Sequence, residues 1–108
     1  MLDAGPLLGT GLALARAGCD RAIALSNSDQ SYLDSRGLVG IKQGLFKEAW
    51  ADYDAALQKK PGNASYLYGR GIAALRLGRT EEGNADLAEA AKLDPEIGET
   101  YAGYGVTP

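Results

Sequence analysis

Residues 30–63 read QSYLDSRGLVGIKQGLFKEAWADYDAALQKKPGN, and residues 64–97 read ASYLYGRGIAALRLGRTEEGNADLAEAAKLDPEI. Laid over one another at a shift of 34 residues, eleven positions are identical. They are Ser31/Ser65, Tyr32/Tyr66, Leu33/Leu67, Arg36/Arg70, Gly37/Gly71, Gly44/Gly78, Glu48/Glu82, Ala51/Ala85, Asp52/Asp86, Ala56/Ala90 and Pro61/Pro95. Unrelated segments would share about two or three at average usage. The frame also runs backwards, with Ala15, Ala17, Asp20 and Ala22 opposite Ala49, Ala51, Asp54 and Ala56. Forwards, Gly103 and Gly105 fall opposite Gly69 and Gly71. A duplicated period of this length is the mark of a unit that cannot bury its own apolar face and stacks on its neighbours.

Within each unit the apolar residues recur at helical spacing: Leu33, Leu38 and Ile41; Tyr53, Ala56 and Leu57; Leu67, Ala74 and Leu75. Small residues at Gly37, Ala49 and Ala56 let helix backbones approach. Gly44 and Gly78 end the first helix of each unit as left-handed residues do. Pro61 stops the second helix, Asn63 caps the next, and Asp94-Pro95 reads as an N-cap with proline in the first turn. The spacing predicts helices at about 11–26, 30–43, 46–60, 64–77, 80–93 and 96–103.

A 34-residue period with these residues resembles the tetratricopeptide repeat. The pattern's large and small positions fall on Leu33, Gly37, Gly40, Ala49, Tyr53, Ala56 and Pro61. In the next unit they fall on Leu67, Gly71, Ala74, Gly83, Leu87, Ala90 and Pro95. The resemblance implies an all-α fold, a right-handed superhelical α-solenoid of antiparallel helix pairs. The chain then divides as a single domain over 1–108. Residues 1–29 are a partial N-terminal unit, 30–63 and 64–97 are whole repeats, and 98–108 form a C-terminal capping remnant. Gly83 stands where the pattern has alanine and is expected to loosen its helix by roughly 1 kcal/mol.

Composition removes several classes of chemistry. The 108 residues hold no histidine, so histidine-based triads and histidine metal sites are excluded. One cysteine, Cys19, leaves no disulfide within the chain; it stands opposite Tyr53 and Leu87, a packing position. A net charge of -3 gives no basic footprint for nucleic acid. Gly69-Arg70-Gly71-Ile72-Ala73-Ala74 matches a dinucleotide fingerprint but lies inside a helix, without the strand that fingerprint needs. The carboxylates Asp34, Asp52, Asp54, Asp86, Glu81, Glu82 and Glu89 read as solvated helix faces. No catalytic residue, metal site or cofactor is expected. Arg36 with Asp52 and Arg70 with Asp86 recur in both units, and so read as ion pairs that fix the stack.

The stretch at residues 5–15 is too short to span a bilayer, so no membrane span is expected. Leu7, Leu8, Leu12, Ala13 and Leu14 before Arg16-Ala17-Gly18-Cys19 are similar to a lipoprotein signal. Asp3, the missing basic n-region and Arg16 in an aliphatic position count against it. The balance leans towards a cytoplasmic chain over a periplasmic or lipid-anchored one.

The resemblance implies that a ligand lies on the concave surface lined by the first helices. The matching residues are Ser31, Asp34, Leu38, Ile41 and Lys42, then Ser65, Tyr68, Ile72, Leu75 and Arg76. Apart from Ser31/Ser65, these positions hold different residues in the two units, most clearly Asp34 against Tyr68, unlike the stacking positions. The face reads as an apolar centre with Tyr68 as an aromatic anchor and Lys42 and Arg76 as a basic edge, suited to a peptide with aliphatic side chains and an acidic residue. The lysine and asparagines of the chaperone-type carboxylate clamp are replaced by Asp34, Leu38 and Gly69, which argues against that ligand. The expected function is a non-catalytic protein-protein interaction module or scaffold for a peptide or partner protein. The alternatives are a self-association element, with a homodimer through the N-terminal end, or a regulatory C-terminal appendage of a larger enzyme.

Overall fold

The computed structural model describes residues 30–108. The expected helix at 11–26, Cys19 and the N-terminal dimer contact lie outside the described residues. The described chain is all-α, with five helices and no strand. They are α1 (Gln30–Gln43), α2 (Phe46–Lys59), α3 (Ala64–Arg76), α4 (Thr80–Leu93) and α5 (Ile97–Gly103). Each falls within one residue of its predicted bounds.

The turns are set by a few side chains. Gly44 (φ 80°) and Gly78 (φ 83°) take the left-handed conformation. After Gly44, Leu45 N–H donates to the Gly40 carbonyl at 2.8 Å and Gly44 N–H to Ile41 at 3.1 Å. Arg79 and Gly78 repeat the pattern on Ala74 and Leu75. These are Schellman motifs, and they satisfy the last carbonyls of α1 and α3. Asn63 caps α3, its side chain accepting the Tyr66 N–H at 3.0 Å. Asp94 departs from the expected N-cap role. Its carboxylate accepts the Glu96 N–H at 3.0 Å in a turn, and α5 begins only at Ile97. Proline at position 95 therefore sits in the turn before the helix.

Only Gly44 and Leu45 separate α1 from α2, and those helices pack along their length. Fourteen residues span about 21 Å, so packed neighbours joined this tightly must run antiparallel. α3 and α4 form the same hairpin, α2 packs on α3 between units, and α5 lies across α3 and α4.

The centre of the stack is the Tyr53 ring, which is fully buried. It lies between the first helices of the two units. A Cβ placed on Gly37 would come 2.7 Å from the ring's Cε2, and one on Gly69 would fall against the ring itself. Ala49, Ala56, Ile72 and Ala73 are fully buried in the same core. In the second hairpin, Leu87 takes the place of Tyr53 and packs on Gly71.

Gly83 has a different meaning from the one its helix propensity suggests. A Cβ there would stand 2.8 Å from the Gly71 carbonyl oxygen and 2.8 Å from the Leu75 side chain. The glycine is what lets α3 and α4 touch through their backbones. Alanine would return about 1 kcal/mol of helix propensity, but overpacking against a backbone atom that cannot move aside costs typically 1–3 kcal/mol. Gly83→Ala and Gly69→Ala are therefore expected to lower stability in urea titrations. Gly62→Ala, whose Cβ meets nothing within 4 Å, serves as the control and should change little.

Candidate functional site

The ten residues expected on the ligand face fall into three groups. Ser31, Lys42 and Arg76 are exposed, and Asp34, Leu38, Ser65 and Leu75 are half-buried. Ile41, Tyr68 and Ile72 are buried, with Ile72 fully enclosed. Ile72 belongs to the core around Tyr53, and Leu75 packs against Gly83 of the hairpin partner. These side chains hold the stack together and are not open to a ligand.

Tyr68 departs most from its expected part as an open anchor. Its ring is covered by Tyr101 of α5, with centroids 4.8 Å apart and planes tilted by 45°. Tyr104 meets Tyr101 edge-on at 5.4 Å. The Tyr101 hydroxyl donates to the Ser65 carbonyl at 2.6 Å and lies 3.4 Å from the Tyr53 hydroxyl. Burial pushes the Tyr101 hydroxyl up to about 12 and also raises those of Tyr53 and Tyr68, so all three stay neutral. The sequence placed Tyr101 in register with Leu33 and Leu67. It held no sign that the side chain would reach past Tyr68 to Ser65 and Tyr53.

Asp34 joins this cluster through the Tyr53 hydroxyl. Burial lifts its carboxyl to about 6, against the opposing effect of that hydrogen bond. The solvated reading of Asp34 is thereby corrected, because the side chain faces the tyrosine cluster and not bulk water.

The duplicated ion pairs form as expected, and one extends further. Arg36 binds Asp52 through both Nε and Nη2, at 2.9 and 2.7 Å. Arg70 grips Asp86 in the same way, at 2.8 and 2.9 Å. Its remaining Nη1 reaches Asp54 of the preceding unit at 2.8 Å. Arg70 thus ties α3 both to its own hairpin and to α2. Beside it, Trp50 stacks with Arg70 at 5.8 Å and Arg79 at 5.2 Å. A cleft of about 360 Å³ opens here, lined by Trp50, Asp54, Arg70, Glu82, Ala85 and Asp86. Within it, Asp54 and Asp86 already hold Arg70. Trp50 carried one sequence signal, as the sole tryptophan standing opposite Asn84 in the second unit.

Among the described residues no group of histidine, cysteine, aspartate or glutamate could hold a metal ion, and no helix is long and apolar enough to cross a membrane. No family model, curated protein or solved structure matches the chain.

Two outcomes are expected. Arg70→Leu leaves Asp54 and Asp86 without their cation and should cost about 1–3 kcal/mol in chemical denaturation. For Asp34, the folded pKa of about 6 lies above the ordinary 3.8, so the fold favours the protonated acid. Its contribution is fully present below about pH 4 and is lost as pH rises through 6. Melting temperatures measured from pH 4 to 7 should therefore show Asp34→Asn gaining on the parent as pH rises.

Proposed function

We infer that the chain is a non-catalytic protein-interaction module. It binds a peptide segment of a partner protein on the face formed by the first helices of its units. On this reading it belongs to the tetratricopeptide class and its helix pairs wind into a right-handed superhelix, with the first helices on the concave side.

One observation carries the reading. The first helices hold two kinds of residue: those that repeat between units, and those that change. Arg36/Arg70 and Gly37/Gly71 repeat, and they serve packing or ion pairs. Leu38 and Lys42, replaced by Ile72 and Arg76 in the second unit, leave surface in the first. Arg76 adds a second exposed cation and stacks over Phe46 at 5.9 Å. Half-buried apolar surface edged by cations suits a peptide with aliphatic and acidic side chains. Ile41, Tyr68 and Ile72 are buried and belong to the core.

The test is direct binding of a partner isolated with the immobilised chain. Lys42→Glu is expected to weaken that binding at least tenfold in calorimetry. Glu89→Lys, on the exposed side of α4, should leave it within about twofold. The opposite pattern would move the site to the second helices. Retained binding in both variants would remove the first-helix face from consideration.

A further inference from the structure

The first-helix face of the second unit already has an occupant. Ile97, Tyr101 and Val106 turn inward from α5 and the residues after it, and all three are buried. Tyr101 lies on the Tyr68 ring and bonds the Ser65 carbonyl at 2.6 Å. The backbone at Gly98 sits so close that a Cβ there would be 3.4 Å from the Tyr68 hydroxyl. Farther along, the Thr107 carbonyl accepts from Arg76 Nη2 at 3.1 Å. Ser65, Tyr68 and Arg76, three residues of the expected ligand face, are therefore each engaged by residues 97–107.

This occupant is a short element seated on three buried side chains. α5 has seven residues, far below the roughly 12–15 at which an isolated helix persists in water. Gly105 ends it in a left-handed turn (φ 81°), and the Val106 N–H closes onto the Tyr101 carbonyl at 3.0 Å. Its outer surface is open, with Glu99, Thr100, Ala102 and Tyr104 exposed. Short elements with few buried anchors open at lower free energy than the whole domain. The interactions that seat it are also simple to replace. They are an aromatic ring on Tyr68, a hydroxyl to a backbone carbonyl, flanking aliphatics, and a carbonyl for Arg76.

We propose that residues 97–107 are the resident occupant of the binding face, and that a partner's peptide binds by displacing them. The incoming segment places an aromatic residue, tyrosine for preference, where Tyr101 sits, with aliphatic side chains on either side. The proposal rests on the first-helix face being the binding face. Displacement lowers the apparent affinity by the fraction of time the face is open, so release of α5 raises affinity with no new contact.

The probe is a fluorescein-labelled synthetic peptide with the sequence of residues 95–108, titrated against full-length chains. The Tyr101→Ala chain, whose own segment has lost its anchor, is expected to bind the peptide at least tenfold more tightly than the parent. A peptide with alanine at the position of Tyr101 should not bind. Equal affinity of the parent and a folded Tyr101→Ala chain overturns the proposal. Amide hydrogen exchange on the parent decides the matter without any variant. The Tyr101, Tyr104 and Gly105 amides are expected to exchange at least tenfold faster than those of Ile72 and Ala73. A common rate means that α5 opens only with global unfolding, and displacement is then excluded. The two readings fail separately. If α5 stays closed while Lys42→Glu still abolishes partner binding, the binding face stands and displacement falls. If α5 opens and accepts the peptide while Lys42→Glu leaves partner binding intact, the face assignment falls.

Discussion

The packing of the Tyr53 ring between Gly37 and Gly69 is the contact on which the stack depends. A ring inserted between two helices sets their spacing, and only glycine leaves room for it on both sides. That spacing brings α2 close to α3, and with it comes the enclosure of Ile72 and Ala73. The hydroxyl at the tip of the ring then reaches the far side of the layer, where Asp34 and Tyr101 meet it. A packing residue of the core thus reaches the face where a ligand is expected. Changes at the ring are felt in both places, because protein interiors are close-packed and have little slack.

The helices are legible in the sequence because the period repeats and the stop signals are physical. Gly44, Gly78 and Asn63 do in the structure what their chemistry allows them to do nearly anywhere. The ion pairs are legible for the same reason, since a charge pair that recurs in register points to the stack. Gly83 is not, because propensity is a property of an isolated helix and the decisive neighbour, the Gly71 carbonyl, lies in another helix. The burial of Tyr68 is hidden in the same way. Whether an aromatic residue on a first helix is open depends on the segment beyond the last repeat, and the path of residues 97–107 is not encoded in the repeat. Asp34 has a solvated look in the sequence for want of any local sign that Tyr53 and Tyr101 converge on it.

The two hairpins are alike in backbone and unlike in the surface that their second helices present onward. Phe46, Trp50, Tyr53 and Leu57 occupy that surface in α2, and they receive α3. The corresponding residues of α4 are Thr80, Asn84, Leu87 and Ala91. These are smaller or more polar, and much of their surface is open. A helix as short as α5, with its aromatic side chains turned back over α3, suits such a surface better than a full-length helix like α3 would.

Arg70 has a consequence for how the domain comes apart. In a linear array, stability is divided between units and the interfaces joining them, and strong interfaces suppress partly folded species. The Arg70 guanidinium belongs to both terms at once, since it holds Asp86 within its own hairpin and Asp54 in the preceding one. When the first hairpin opens, Arg70 loses one carboxylate and α3 loses the ring that spaced it. When the second opens, Asp54 loses its cation and Tyr53 loses a wall. Neither hairpin keeps a complete set of contacts alone, so the opening of either one weakens the other.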